Sequence, residues 1–275
     1  MGKVINVAVC GQKNLCLDCI KKIVENKGFN LCAVVGSAND WESDIPKWCF
    51  DNGIKCYVGN INTFIPELSL LNLDLIFSIQ ARELFKEEIL SLPKHGCINL
   101  HLGILPKYRG CAPISAAILA GEDVAGFTLH LMSNEFDTGE ILYIESVPIV
   151  DTEFDCLSVN SAQTVYYDVC SIAKRAFGEF LDDIKTAGVK NVVRSAVPQQ
   201  GNFNYYKDGD INFKELTNIN NSIKDYSSEV AIRRIAAADF PKFQRPTLSI
   251  GGKQFSVDTY FIIDGKLNFT AREIK

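Results

Sequence analysis

Residues 4–36, VINVAVCGQKNLCLDCIKKIVENKGFNLCAVVG, carry the pattern that decides the fold. The apolar run 4–10 predicts a buried strand, the amphipathic segment 15–26 predicts a helix, and residues 31–35 predict a second strand. Strands that are apolar on both faces and are joined by helices are typical of a parallel sheet covered on both sides. This stretch therefore predicts an α/β protein with a Rossmann-like, mostly parallel sheet.

The same alternation continues along the chain. It predicts helices at 41–52, 83–91, 113–120, 158–186 and 229–238, and strands at 54–58, 74–79, 97–100, 127–132 and 141–150. Residues 197–221 have a loop composition, and 248–269 predicts strands with turns at Gly251-Gly252 and Asp264-Gly265. We therefore predict a catalytic α/β domain over residues 1–190 and a small β-rich C-terminal domain over residues 191–275.

Composition excludes several classes of protein. Of the 275 residues 47% are hydrophobic, which is too apolar for a disordered chain. The net charge of −5, from 28 Lys+Arg and 33 Asp+Glu, argues against a large phosphate-tracking surface, so we expect no nucleic-acid partner. No run of about 18 apolar residues and no readable signal peptide are present, so we expect no membrane partner and a cytoplasmic location.

Ten cysteines in such a protein are expected to be reduced thiols. Cys16 and Cys19 form a C-x-x-C, which occurs in zinc and redox sites. No second pair follows at ligand spacing, and the segment has a helical pattern, so we favour a structural role and predict no metal.

The end of the first strand does not carry a dinucleotide or P-loop motif. Only Gly11 is present where G-x-G-x-x-G would be needed, and no G-x-x-x-x-G-K-[ST] occurs. NAD, FAD and P-loop ATP chemistry are therefore not expected.

The densest polar constellation is CINLHLGILPKYRGCAP at 97–113, followed by FDTGEIL at 136–142. Asn99 and His101 are two residues apart at the end of a strand, so their side chains share one face. Ligands bind at the carboxyl ends of parallel strands, and Asp137 follows on a glycine-containing turn. Any one of these residues alone is more often structural, but their clustering favours a site. We expect His95 to be a solvated loop residue and His130 to be a packing residue.

The pattern N-L-H-x-G-x-L-P-K-Y-R-G-x-x-P at 99–113, followed by D-T-G-E-I at 137–141, resembles the formyltransferases that use N10-formyltetrahydrofolate. The resemblance implies that Asn99, His101 and Asp137 are the catalytic residues. Asn99 would donate to the developing oxyanion, and Asp137 would orient the imidazole and favour its cation. His101 would act as general base on the amine or, when protonated, as a second oxyanion donor. Gly103 departs from the family pattern, since several members have Ser there.

The resemblance also implies the ligand contacts. The folate is expected at Gln80, Arg82, Leu84 and Asp137, although Arg82 could equally be a solvated residue. Lys107, Tyr108 and Arg109 are expected to meet the acceptor or its phosphates, or else to order their own loop.

Two further motifs bear on which amine is formylated. F-S-x-Q-x-R at 77–82 and R-x-x-x-A-D-F-P at 234–241 resemble nucleotide-sugar N-formyltransferases. The acidic chain is unlike methionyl-tRNA formyltransferases, and residues 10–13 lack the Gly-Ser-Asn loop of glycinamide ribonucleotide enzymes. We therefore expect a nucleotide-linked amino sugar as acceptor, in lipopolysaccharide or O-antigen biosynthesis. The alternatives are methionyl-tRNA formyltransferase and formyltetrahydrofolate hydrolase, which usually has an extra N-terminal regulatory domain.

The resemblance finally implies a homodimer, because relatives often pair through C-terminal strands. The apolar run 260–263 is a candidate interface, and packing in the protein's own core is the alternative.

Overall fold

The computed structural model describes residues 4–37, 40, 42–153, 156–240 and 244–274. Its strands are β1 Ile5–Gly11, β2 Phe29–Gly36, β3 Cys56–Val58, β4 Leu75–Ile79, β5 Cys97–His101, β6 Tyr108–Gly110, β7 Val124–Leu131, β8 Ile141–Pro148, β9 Val150–Glu153, β10 Cys156–Val159, β11 Asn204–Tyr206, β12 Thr247–Ile250, β13 Lys253–Ile263 and β14 Lys266–Glu273. Its α-helices are α1 Lys13–Glu25, α2 Ile45–Asp51, α3 Ile65–Ser69, α4 Glu87–Leu90, α5 Pro113–Leu119, α6 Ala162–Ala187, α7 Val189–Arg194, α8 Phe213–Leu216, α9 Ile219–Asp225 and α10 Ser228–Ala238.

A seven-stranded sheet has the order β3-β2-β1-β4-β5-β7-β8. Strands β1 to β5 pair in parallel, and β7 joins β5 antiparallel. Strand β4 is buried along its whole length, as expected for a central strand covered on both faces. The predicted α/β class and mostly parallel sheet are confirmed.

Helix α1 covers this sheet through its apolar stripe. Cys16, Cys19 and Ile20 are fully buried on that stripe, and burial raises the pKa of both thiols. The two cysteines of the C-x-x-C are thus core residues with free thiols. Among the described residues, no cluster of three or more His, Cys, Asp or Glu side chains could hold a metal ion.

The chain forms two compact units, each built from three stretches of sequence. The first comprises residues 1–106, 127–145 and 170–202, and the second comprises 107–126, 146–169 and 203–275. The second unit contains a five-stranded sheet, in which β12-β13-β10-β9 are neighbours and β14 pairs with β13. The predicted domain boundary at residue 190 stays a prediction.

Two predicted helices begin later than expected. The helix predicted at 83–91 covers only α4, because Asn62 bonds the backbone of Leu84 and Lys86 and holds the preceding residues out of helical geometry. The helix predicted from residue 158 begins at Ala162, because residues 156–159 form β10. The predicted start of the second helix at residue 41 lies outside the described residues, and α2 runs from Ile45.

The segment expected to be loop, 197–221, contains a short strand, β11, the short helix α8 and the start of α9. Asn212 and Asn218 cap α8 and α9 by accepting backbone N–H groups with their side chains. The C-terminal segment forms three strands, with turns at the predicted Gly251-Gly252 and Asp264-Gly265 positions. In the described residues, no helix is both long and apolar enough to cross a bilayer.

Candidate active site

Strand β5 carries the first two predicted site residues at its carboxyl end. Asn99 lies opposite His130 of β7 in the antiparallel register, and His101 lies opposite Thr128. Thr128 is fully buried, and its hydroxyl donates to the carbonyl of Gly103 at 2.7 Å. The structure therefore uses a backbone carbonyl at residue 103, a group that glycine supplies as well as serine.

Asp137 lies in the turn between β7 and β8. Its backbone adopts a left-handed conformation, with φ of 56°, which is costly for a residue with a Cβ. Gly139 closes the turn against Leu131, where an added Cβ would lie 1.7 Å from the Leu131 carbonyl oxygen. The D-T-G sequence therefore has a physical reason: only glycine fits at its last position, and the turn directs Asp137 toward β5.

The turn brings one carboxylate oxygen to three side chains. Asp137 Oδ1 lies 3.3 Å from Asn99 Nδ2, 3.5 Å from His101 Nδ1 and 3.4 Å from His130 Nε2. Asp137 and His101 are 8% exposed and His130 is 2% exposed, so the cluster is largely shielded from water. In this setting the carboxylate interacts with its three neighbours more strongly than it would in water.

Hydrogen-bond partners define the tautomer of His130. Its Nδ1 lies 2.8 Å from the Leu131 carbonyl oxygen, which can only accept, so Nδ1 carries a proton. The neutral ring then has its lone pair on Nε2, which accepts from Asn99 Nδ2 at 3.1 Å. Both amide hydrogens of Asn99 are therefore directed at protein acceptors, His130 and Asp137. The opposite amide orientation would place oxygen against the Asp137 carboxylate.

His101 is oriented by the same carboxylate. With Nδ1–H directed at Asp137, the neutral ring has its lone pair on Nε2, the nitrogen that can accept a proton. A separation of 3.5 Å is long for a hydrogen bond, and such contacts commonly shorten when a catalytic site binds its substrate. The arrangement provides a base, a group that orients it, and an amide donor.

His130 was expected to be a packing residue, and the structure places it in this cluster instead. Its position in the apolar strand FTLHLM suggested packing. The pairing of β5 with β7 puts His130 opposite Asn99. These two residues are 31 positions apart, and the sequence around either one does not show how the two strands are aligned. The small number of histidines in the chain, three, was the available clue.

The predicted folate-binding loop follows β4, next to β5 in the sheet. Ile79 pairs with Leu100, and Gln80 then adopts a left-handed conformation with φ of 56°. Arg82 and Leu84 are exposed. Arg82 also lines a small cavity of about 20 Å³, with further lining from residues 10–12, 35–37, 59, 81 and 83. That cavity contains none of the three predicted catalytic residues.

The residues predicted to contact the acceptor lie around β6, in the second unit. Lys107 Nζ and the Tyr108 hydroxyl each lie 2.8 Å from the same Glu122 oxygen, and Tyr108 is buried. The Arg109 guanidinium lies 4.6 Å above the ring of Phe203. Burial, with help from Glu122, raises the pKa of Tyr108, so its hydroxyl acts here as a donor that orders the loop.

Replacing Gly139 with Ala is expected to destabilise the protein by about 1–3 kcal/mol, because the new methyl group meets backbone atoms that cannot yield. Thermal or urea unfolding measures the change. Gly36→Ala is the matched control, since its Cβ would have no neighbour nearer than 3.7 Å. Equal stability of the two variants would show that the turn has more room than the structure gives it.

Residues 4–162 match the Formyl transferase family model, and the chain belongs to this family. Among its relatives is the methionyl-tRNA formyltransferase of Caldanaerobacter subterraneus subsp. tengcongensis, 30% identical over 193 residues, which are 66% of this chain and 60% of that protein. The chain thus spans about three fifths of the length of this curated relative.

Two solved structures share the fold over nearly their whole length. The N-formyltransferase of Helicobacter canadensis, in complex with folinic acid and dTDP-3-aminofucose, is 22% identical, with a TM-score of 0.72 over 98% of this chain and 100% of that chain. A sugar 3N-formyltransferase with dTDP and 5-N-formyl-THF is 21% identical, with a TM-score of 0.70 over 99% of each chain. At these identities the likeness establishes the fold.

Proposed function

We propose that this protein transfers a formyl group from N10-formyltetrahydrofolate to the amine of a nucleotide-linked amino-deoxy sugar. The observation that carries the proposal is the buried Asp137 carboxylate within 3.5 Å of both the Asn99 amide and the His101 imidazole, at the carboxyl end of β5. Membership of the formyl transferase family and the ligands of the two solved relatives support it.

The residues around this cluster suit a formyl donor. N10-formyltetrahydrofolate supplies an activated formyl carbon to a nucleophilic amine. The accessible loop with Gln80, Arg82 and Leu84 follows the strand next to β5, and its backbone offers donors and acceptors for a pterin ring. We propose that these residues and Asp137 hold the donor.

His101 is placed to move the proton in this reaction. An amine that attacks a carbonyl carbon becomes positively charged and must lose a proton. His101 Nε2 can accept that proton, and Asp137 stabilises the imidazolium through Nδ1–H. Once protonated, the same ring can pass the proton to the departing nitrogen of the donor.

Asn99 is proposed to stabilise negative charge on the formyl oxygen. One such donor is commonly worth roughly 3–4 kcal/mol. Because both of its amide hydrogens are directed at His130 and Asp137, Asn99 must exchange one of these hydrogen bonds to act.

The net charge of the chain favours a small acceptor over a tRNA. A tRNA acceptor requires contacts to many phosphates, and a chain with a net charge of −5 is poorly suited to supply them. A nucleotide sugar presents two phosphates, for which one or two cations suffice. We propose Lys107 and Arg109 for these contacts, with Tyr108 ordering the loop through Glu122. Methionyl-tRNA remains the second candidate acceptor, because the curated relative described above is named a methionyl-tRNA formyltransferase.

The proposal includes a homodimer in the cytoplasm, acting in surface-glycan biosynthesis. On β13, Ile263 is 45% exposed and is the last residue of the predicted interface, 260–263. Tyr260, the first residue of that segment, donates to Asp239 within its own unit. Light scattering on the purified chain decides between dimer and monomer.

The experiment that tests the function is a product assay. Purified protein is incubated with N10-formyltetrahydrofolate and dTDP- or UDP-linked amino sugars, with the matching hydroxy sugars as controls. Formation of a formamido sugar supports the proposal. Formylation of methionyl-tRNA alone would replace the acceptor, and release of formate without any acceptor would indicate the hydrolase.

A further inference from the structure

A side chain far from the family motifs contacts the catalytic turn. The Nε2 amide of Gln199 donates to the carbonyl of Asp137 at 2.9 Å and to the carbonyl of Gly139 at 2.7 Å. Both hydrogens of this amide are therefore engaged, one with the carbonyl of the residue before Thr138 and one with the carbonyl of the residue after it. Gln199 is 62 residues from Asp137 in sequence and lies outside the predicted site residues.

The backbone places Gln199 there through a short antiparallel bridge. Ile141 donates to the Val197 carbonyl at 2.8 Å, and Val197 donates back to Ile141 at 2.9 Å. The segment that returns from α7 is thereby held against the start of β8. Two residues beyond Val197, the amide of Gln199 reaches the turn.

The turn needs such support because its conformation is costly. Asp137 is in the left-handed region, and its carboxylate must meet three side chains on β5 and β7. Within the turn, Thr138 bonds Ser133 at 2.6 Å. The carbonyls of Asp137 and Gly139, the residues before and after Thr138, both accept from Gln199.

We infer that Gln199 is a positioning residue for catalysis, holding the turn so that the Asp137 carboxylate stays in reach of His101 and Asn99. This inference rests on the proposed function, and it adds a residue outside the Asn99, His101 and Asp137 set. Its effect is on the placement of a catalytic group, so it changes turnover more than substrate affinity. A displacement of about 1 Å at such a group can cost on the order of 100-fold in rate.

Two substitutions test the inference. Gln199→Met keeps the length of the side chain without its donors, and Gln199→Glu sets carboxylate oxygens against two carbonyl oxygens. Gln200→Ala is the matched control, because the neighbouring glutamine is exposed. We expect kcat to fall about 10- to 100-fold in both Gln199 variants, with KM for the acceptor changed by less than about threefold. The control should match the wild type.

A second readout does not depend on activity. The chain has three histidines, so the ring nitrogens of ¹⁵N-histidine-labelled protein give few NMR signals, which single His→Asn variants assign. At constant pH the signals of His101 and His130 should move in both Gln199 variants, while that of His95 stays in place. A circular dichroism spectrum like that of the wild type confirms folding. If Gln199→Glu does not fold, Gln199→Met carries the comparison.

The outcomes distinguish failure of the proposed function from failure of the inference about Gln199. Wild-type protein that formylates no amine would refute the proposed function, while the NMR comparison still tests the role of Gln199. Unchanged His101 and His130 signals, or unchanged kcat in a folded Gln199 variant of an active enzyme, would overturn the inference. A higher KM with unchanged kcat would also overturn it, because that pattern belongs to a binding residue.

Discussion

Replacing His101 with Asn is expected to lower kcat by about 10²- to 10⁴-fold, the range that a positioned general base contributes. Asn can fill part of the space of the imidazole, and it cannot accept a proton at neutral pH. The same substitution should change KM for the donor much less, because the role proposed for His101 is to accept the amine proton. Steady-state kinetics with the acceptor identified in the product assay measures both constants.

His95→Asn is the control for this experiment. His95 lies in the loop before β5, and neither of its ring nitrogens takes part in the cluster around Asp137. This variant should keep wild-type kinetics. Near-normal turnover of His101→Asn would show that another group removes the proton and that the proposed mechanism is wrong.

Replacing Asp137 with Asn is expected to lower kcat by a similar factor, about 10²- to 10⁴-fold, through loss of charge. Asparagine has the same shape and tolerates the left-handed backbone, so the turn itself should be retained. The imidazolium of His101 would lose its counter-charge, and an amide NH₂ could face the donors of Asn99 and His101. Both effects act on the reacting proton, so kcat should fall more than KM changes.

Asp264→Asn is the matched control, because Asp264 is also in the left-handed region, with φ of 49°, in the exposed turn between β13 and β14. Comparable thermal unfolding of the two Asp→Asn variants would show that the backbone accepts the change. Full activity of Asp137→Asn would mean that the carboxylate contributes nothing to turnover, in conflict with the geometry of the cluster.

Much of the fold follows from local patterns. The apolar runs of β1, β2 and β4 predicted a covered parallel sheet, and the structure has one. Predictions failed where another segment decides the conformation. Hydrogen bonding to Asn62 keeps the first residues of the predicted helix at 83–91 out of helical conformation. Residues 156–159, which overlap the predicted start of a helix at residue 158, form a strand because they pair with β9 and β13. Such contacts leave no periodicity in the segment itself.

Some residues of the candidate site could likewise be identified from local sequence, and one could not. Asn99, His101 and Asp137 could be selected from sequence because two lie on one face at a strand end and the third follows in a glycine-containing turn. His130 could not, because a histidine within an apolar strand is indistinguishable from a packing residue until its cross-strand partner is known. The structure identifies that partner as Asn99.

By itself, then, the sequence determined the α/β class and which residue types are available for acid–base chemistry. These depend on side-chain period and residue chemistry, which can be read over a few residues. Only the tertiary structure decided that His130 joins the carboxylate, that both hydrogens of Asn99 are engaged, and that Gln199 holds the turn. The contact of Asn99 with His130 and that of Gln199 with Asp137 join residues 31 and 62 positions apart, and their geometry exists only once sheet register and chain return are established.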